Sequence, residues 1–170
     1  APPVRFSWLA LGSHGRRETV PSSDADTGLV WFGDDEDPEI RAAMTALAAA
    51  VMRGLDACGV SADEHGVRAD RMLFARSDLA WRAAVKSWID DPLQEQALMA
   101  VSVLFDGRVV AGAGRGATLA AEFQAGPRRP RLQRLLARMA LAHRPPTSTR
   151  RLPPRLPAPL FPHPSPPPRP

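Results

Sequence analysis

The chain has 170 residues, enough for one domain, or for a small domain with a helical extension and a tail. Its 44% hydrophobic and 24% charged residues are ordinary for a globular protein, and no apolar run approaches the roughly 20 residues of a membrane span. Cys58 is the single cysteine, which excludes a disulfide framework and a cysteine-based zinc site. A reducing, cytoplasmic location and no membrane partner are therefore expected.

The excess of positive charge lies at the end of the chain. The net charge is +4, and residues 145–170 contain four arginines and no acid. The preceding 144 residues are therefore neutral, which argues against a folded basic face and against nucleic acid as a partner.

The front of the chain predicts two strands joined by a loop. Residues 5–11 (RFSWLAL) and 26–32 (DTGLVWF) are short apolar runs typical of buried strands. Residues 12–23 between them are rich in Gly, Ser and Arg and predict a loop.

A helix is predicted over residues 39–58, where apolar residues recur at helical spacing between Pro38 and Gly59. Cys58, at its end, is expected to be buried as a small apolar residue. Residues 66–68 predict a short strand.

The back of the chain is predicted to be helical, followed by a tail. Ser77 is a plausible N-cap for the first of these helices. The helices are expected over residues 77–89, 93–105, 117–123 and 131–143. Residues 145–170 contain 12 of the 19 prolines and no glycine, so they predict a disordered or polyproline segment.

The predicted loop contains side chains suited to nucleotide chemistry. Asp24 and Asp26, two residues apart at the start of a strand, would point to one face and could share a Mg²⁺ ion, which prefers carboxylate and phosphate oxygens. Gly12 would let the backbone approach a triphosphate, Ser13 would add a hydroxyl and an amide, and Arg16 would neutralise phosphate charge. The alternative for Asp-x-Asp in such a loop is a turn with capping side chains.

Residues 8–31 (WLALGSHGRRETVPSSDADTGLVW) resemble the signature of the DUF294 family of nucleotidyltransferases, G-S-x-G-R-x-E followed by a D-x-D strand. The family is related to the N-terminal domain of protein-PII uridylyltransferases. It often follows CBS or cyclic-nucleotide-binding domains in bacterial signalling proteins. The matching positions are Gly12, Ser13, Gly15, Arg16, Glu18, Asp24 and Asp26.

The resemblance continues into the back half. LAWRAAVKSWIDDP (residues 79–92), SVLFDGRVVAG (102–112) and LLARMALAHRPP (135–146) are similar to segments of the family's C-terminal substrate-binding helical domain. The resemblance implies an α+β protein, in which a small mixed-sheet, polymerase-β-like nucleotidyltransferase core precedes a helical domain and the disordered tail. The expected domains are residues 1–75, incomplete at the N-terminus, 76–144, truncated, and the tail 145–170.

The sequence departs from the family at two places. Thr27 stands where the family commonly has Asn, and residues 66–74 (GVRADRMLF) replace a G-x-M-A-S-N-P-x-W stretch. A third carboxylate is usual in this superfamily, and Glu64 and Asp70 are both candidates for it.

Four further residues each have two interpretations. Asp106 and Arg108, in the helical region, are interpreted as an ion pair with another helix or as groups that orient the acceptor. Trp81 and Trp88, seven residues apart, are interpreted as core residues or as a base-stacking platform.

The tail beyond about Pro146 changes abruptly in character. Family members continue there into helical sequence, and Pro/Arg/Ser/Leu text is what a GC-rich gene gives when read out of frame. A frameshift is therefore a hypothesis for this segment, and the start at Ala1 suggests a piece of a longer protein.

Three outcomes follow from the sequence. The first is a Mg²⁺-dependent, uridylyltransferase-like enzyme that transfers a nucleotidyl group from a nucleoside triphosphate to a protein or small-molecule acceptor. The second is a catalytically silent module that binds nucleotide or docks partner domains. The third is a fragment that does not fold stably.

Overall fold

The computed structural model describes residues 2–20, 23–60, 66–112 and 129–142. Four strands and five helices lie in these ranges. In chain order they are β1 (Phe6–Ala10), α1 (Gly12–Arg16), β2 (Thr27–Trp31), α2 (Pro38–Ala57), β3 (Ala75–Ser77), α3 (Asp78–Asp90), α4 (Ala97–Phe105), β4 (Arg108–Gly112) and α5 (Pro130–Ala142).

The strands form one mixed sheet in the order β3-β2-β1-β4. β1 is antiparallel to both β2 and β4, whereas β2 and β3 are parallel. The pairing of Ala10 with Thr27 places the end of β1 beside the start of β2. An α+β architecture with a small mixed sheet is thus confirmed.

The central strands β1 and β2 are buried on both faces, and their alternate side chains point to opposite sides of the sheet. Trp8 and Leu29 pack with Met44 and Met52 of α2 on one face. Leu9, Leu11 and Val30 pack on the other face with a cluster drawn largely from α3, α4 and α5. The molecule therefore has three layers, with the sheet in the middle.

Helix α3 is fixed to the sheet by Trp81. Its indole Nε1 donates a buried hydrogen bond of 2.9 Å to the carbonyl oxygen of Leu29 in β2. Trp81 also contacts Phe74 and Trp88, with 6.2 Å between ring centroids in each pair. Both tryptophans are therefore core residues, as one of the two interpretations proposed.

The two strands predicted over residues 5–11 and 26–32, the long helix and the Ser77 cap are confirmed. Ser77 Oγ accepts a hydrogen bond from the N–H of Ala80, and Asp37 caps α2 in the same way through the N–H of Glu39. The helix predicted over 93–105 begins only at Ala97.

Four expectations were wrong. Residues 12–23, predicted as a loop, contain the one-turn helix α1, and residues 66–68 form no strand, although the N–H of Thr27 donates to the carbonyl of Val67 at 2.9 Å. Residues 108–112, expected to lie in a helical domain, form β4. Cys58 is exposed, because it follows the last turn of α2 on its solvent side.

The division into residues 1–75 and 76–144 stays a prediction. The helices of the second segment share a core with the sheet of the first. The helix predicted over 117–123 and the tail from 145 lie outside the described residues. None of the helices described is both long and apolar enough to cross a bilayer.

Candidate functional site

The glycine-serine turn and the D-x-D segment meet at one end of the sheet. The N–H of Leu11 donates to the carbonyl oxygen of Asp26 at 3.0 Å, which extends the β1–β2 pairing by one step. Gly12 therefore leaves β1 directly beside the carboxylate of Asp26. Two motifs that are a dozen residues apart in sequence become one local structure.

Gly12 is required here for two separate reasons. Its φ of +51° lies in the left-handed region, which side chains other than glycine rarely adopt. A Cβ at this position would also lie 3.2 Å from Cγ of Asp26 and well under 3.0 Å from its Oδ2. The backbone thus approaches the Asp26 carboxylate as closely as the absence of a side chain permits.

Asp24 and Asp26 lie on the same side of the chain. Burial alternates along this segment, since Asp24 is exposed, Ala25 buried, Asp26 half-buried and Thr27 buried. Such alternation places the two carboxylates on one face. That face is the one on which Leu9, Leu11 and Val30 pack. Asp26 is an even number of residues from Val30, and side chains at even spacing along a strand point to the same face.

Helix α1 follows Gly12 immediately. Its first N–H groups have no acceptor within the helix, and the preceding Leu11 provides no side-chain cap. Ser13 is half-buried in this first turn, and its carbonyl accepts the N–H of Glu18 at 3.0 Å. The helix ends at Arg17, whose φ of 64° turns the chain away.

Arg16 is held by two carboxylates. Its Nε donates to Glu18 at 2.7 Å, and its Nη1 pairs with Asp106, which immediately follows α4. The hydrogen bond that Arg16 donates to Glu18, followed by the one that it donates to Asp106, raises the pKa of Arg16. The predicted phosphate-neutralising arginine is therefore at the site and already partnered there.

Arg108 and Gly15 complete a clamp on α1. Arg108 Nε donates to the carbonyl of Gly15 and its Nη2 to that of His14, both at 3.2 Å, which satisfies carbonyls at the C-terminal end of the helix. A Cβ on Gly15 would lie well under 3.0 Å from the main-chain oxygen of Asp106. We name residues 106–108 the DGR turn.

The DGR turn was interpreted from sequence as an ion pair with another helix or as an acceptor-orienting element. The Asp106–Arg16 pair matches the first interpretation, and the acceptor role stays a prediction. The contacts of Arg108 with α1 were missed by sequence reasoning. The sequence signal that could have indicated these contacts was the presence of two glycine-containing motifs, GSHGR and DGR, in the same chain.

The departure at Thr27 has a structural explanation. Its buried Oγ1 accepts the N–H of Ala69 at 3.0 Å and lies 3.5 Å from Sδ of Met52. Thr27 thus joins residues 67–69 and α2 to β2. It serves the fold beside the site and not the D-x-D face.

Asp70, one candidate for the third carboxylate, has another partner. Both its oxygens accept hydrogen bonds from Arg68, at 2.9 and 2.8 Å, which lowers the pKa of Asp70 below its ordinary value. In the described ranges no three acidic, histidine or cysteine side chains gather as a metal site, so Asp70 does not join Asp24 and Asp26. Glu64, the other candidate, lies outside those ranges.

The mixed sheet, the glycine-serine turn and the adjoining D-x-D define a nucleotidyltransferase-type core. The family model described as "Putative nucleotidyltransferase DUF294" matches residues 1–95, more than half of the chain. The protein belongs to this family. No curated protein matches the chain. The resemblance of residues 102–112 and 135–146 lies beyond the matched range and stays a prediction.

Proposed function

We propose that this protein is a Mg²⁺-dependent nucleotidyltransferase of the protein-PII-uridylyltransferase-like kind. It would transfer a nucleotidyl group from a nucleoside triphosphate to a protein or small-molecule acceptor in bacterial signalling, next to CBS or cyclic-nucleotide-binding domains. The general activity follows from the family. The observation that supports a metal and triphosphate site is the packing of Gly12 against the carboxylate of Asp26.

The chemistry of the donors fits magnesium. Asp24 and Asp26 offer hard oxygen ligands on one face, and Mg²⁺ usually takes one or two carboxylates together with substrate phosphates. When bound there, the metal would neutralise phosphate charge and polarise the attacked phosphoryl group.

The remaining groups would position the triphosphate. Gly12 brings the main chain against the carboxylate of Asp26, Ser13 would donate from its hydroxyl and amide, and Arg16 would offer its guanidinium. In the transfer, an acceptor oxygen forms a bond to the α-phosphorus while the bond to the leaving pyrophosphate breaks. Because Arg16 is paired with Glu18 and Asp106, phosphate would have to share it or displace one of them.

Calorimetric titration of the full chain with each nucleoside triphosphate, with and without Mg²⁺, tests this assignment. We expect at least one triphosphate to bind only with Mg²⁺. The double variant Asp24→Asn, Asp26→Asn should weaken that binding by about tenfold or more, since each lost charged contact contributes roughly 1.5–3 kcal/mol.

The matched control is the double variant Asp56→Asn, Glu95→Gln. It removes the same charge from two exposed side chains outside the site and should leave binding unchanged. Binding that persists unchanged in the Asp24, Asp26 variant refutes the assigned roles. Absence of binding by every triphosphate refutes the proposal.

A catalytically silent module that binds nucleotide or docks partner domains is the second candidate. It is favoured by the separate pairing of Asp70 with Arg68, which leaves Asp24 and Asp26 without a third carboxylate in the described ranges. Transfer of label from an α-labelled triphosphate to a candidate acceptor protein separates the two. Transfer supports the enzyme, whereas binding without transfer supports the silent module.

A further inference from the structure

A cavity lies on the α2 side of the sheet, away from the D-x-D segment. Its volume is about 390 Å³, within the range of small-molecule sites. It is bounded by the end of β2, the start of α2 and residues 69–76. The lining side chains that could form polar contacts are Trp31, Asp35, Glu36, Arg41, Thr45, Asp70 and Arg76.

Trp31, a residue of the cavity wall, has a buried donor with no acceptor. Trp31 is only 4% exposed, and its indole Nε1 is fully buried with no hydrogen-bond partner among the described residues. An unpaired buried N–H costs roughly its full desolvation penalty. Trp31 therefore places a strained, unpaired group in the wall, close to whatever occupies the cavity.

Arg76 supplies a second donor to the same cavity. Its Nε donates to the carbonyl of Leu73 at 3.1 Å, but in the described part of the chain its guanidinium forms no ion pair. Burial lowers the pKa of Arg76, and the nearby Asp35 carboxylate acts in the opposite direction. Arg76 is thus a half-buried cation that has lost water without gaining an ion-pair partner among the described residues.

Asp35 supplies the opposite charge. One of its carboxylate oxygens, Oδ1, accepts the N–H of Ser77 at 3.0 Å, which fixes the side chain at the cavity wall. The neighbouring carboxylate, Asp70, is already paired with Arg68. Glu36, the third acidic residue of the wall, lies 3.8 Å from Nη2 of Arg41. The cavity wall therefore contains a cation, Arg76, and a carboxylate, Asp35, that form no ion pair with each other or with another residue of the described ranges.

We propose that this cavity binds a small zwitterion, an α-amino acid or a molecule of similar size with a carboxylate and an ammonium. The ligand carboxylate contacts the guanidinium of Arg76, whose planar donors match a carboxylate, and the ligand lies beside the ring of Trp31. Its ammonium contacts Asp35. A simple anion would meet Asp35 unfavourably, and a simple cation would leave Arg76 without a counter-ion.

This site is separate from the proposed nucleotide site. Along β2, Trp31 lies on the face covered by α2, whereas Val30 lies on the opposite face with the side chains packed under α3 and α4. Asp26 has the parity of Val30. The two sites therefore lie on opposite faces of the same strand, and the inference does not depend on nucleotide transfer.

NMR of the full chain labelled with ¹⁵N at the tryptophan indoles tests the proposal. The protein has four tryptophans, and Trp31→Phe identifies the Trp31 signal. Titration uses a panel of free amino acids, with acetate, inorganic phosphate and ethylamine as single-charge probes. We expect at least one amino acid to shift the Trp31 signal in a saturable way, and the single-charge probes to shift it much less.

Two variants and a control sharpen the result. Arg76→Gln and Asp35→Asn should each weaken the amino-acid binding by about tenfold or more. Arg53→Gln, which removes an exposed arginine from α2 at a distance from the cavity, should leave it unchanged. Loss of affinity in Asp35→Asn distinguishes a zwitterion from an anion.

Several outcomes overturn the proposal. A Trp31 signal that no amino acid moves shows that the cavity holds only water. Equal shifts with acetate or phosphate show a general anion site. Affinity that survives both Arg76→Gln and Asp35→Asn places the ligand elsewhere.

Discussion

Replacing Gly12 with alanine tests the close approach of the main chain to Asp26 at the proposed nucleotide site. The residue adopts a φ of +51°, and a Cβ there would lie 3.2 Å from Cγ of Asp26 and closer still to Oδ2. The left-handed conformation costs roughly 1–2 kcal/mol in a residue with a side chain. Forcing an additional carbon into a packed site costs about 1–3 kcal/mol more. Gly12→Ala should therefore lower the free energy of unfolding by roughly 2–5 kcal/mol.

Two other glycines provide matched controls. Gly59 has a φ of +77°, yet a Cβ there would meet no atom within 4 Å, so Gly59→Ala experiences the backbone strain alone. Gly54 lies inside α2 and is equally unobstructed, so Gly54→Ala should stabilise the protein by about 0.5–1 kcal/mol. The difference between Gly12→Ala and Gly59→Ala isolates the contact with Asp26, because the gain from a less flexible unfolded chain is common to both.

Urea denaturation of the three variants measures these values, provided that each transition is two-state. We expect Gly12→Ala to be the least stable and Gly54→Ala the most stable. If Gly12→Ala is no less stable than Gly59→Ala, the close approach to Asp26 is refuted. A variant that still binds Mg²⁺ and nucleotide as the original does would also contradict the assigned role of this approach.

Three further predictions concern the core, an ion pair and the cysteine. Trp81→Phe leaves the carbonyl of Leu29 without its indole donor and should lower the free energy of unfolding by about 1–3 kcal/mol in chemical denaturation; unchanged stability would contradict the bond. Because Arg68 lowers the pKa of Asp70, the stability from this pair is present above about pH 4 and lost as the pH falls through the lowered value. The stability difference from Arg68→Gln, followed by denaturation across pH 2–6, should therefore shrink towards acid pH; a constant difference refutes the linkage. Cys58 is exposed and should react with a thiol reagent without denaturant, whereas reaction only after unfolding would show burial.

Local sequence signals were sufficient for the elements that carry their own pattern. The two apolar runs became β1 and β2, and the helical spacing with Ser77 as a cap became α3. The sequence put the glycine-serine motif after the first predicted strand and the D-x-D motif at the start of the second. These two positions become neighbours when consecutive strands pair.

The parts that failed depend on contacts between distant residues. Five residues, RVVAG, became β4 because β1 offers them a partner, and such a short run has no period that separates strand from loop. Helix α1 is a single turn that is stabilised by hydrogen bonds from Arg108. The helix propensity of its five residues therefore could not indicate it. Nothing near Arg16 in the sequence indicated that its partner would be Asp106, 90 residues later.

The DGR turn has a consequence for how this protein folds. Gly15 and Arg108, which it brings together, are 93 residues apart, and β4 can join β1 only after that long segment has closed. Contacts of this kind raise the contact order. Because closing such a long loop reduces the entropy of the chain, they tend to form late in folding. During synthesis β1, β2 and α2 would leave the ribosome well before residue 108. The glycine-serine turn would then reach its final geometry only when the DGR turn packs against it, so the proposed nucleotide site would be completed late in folding.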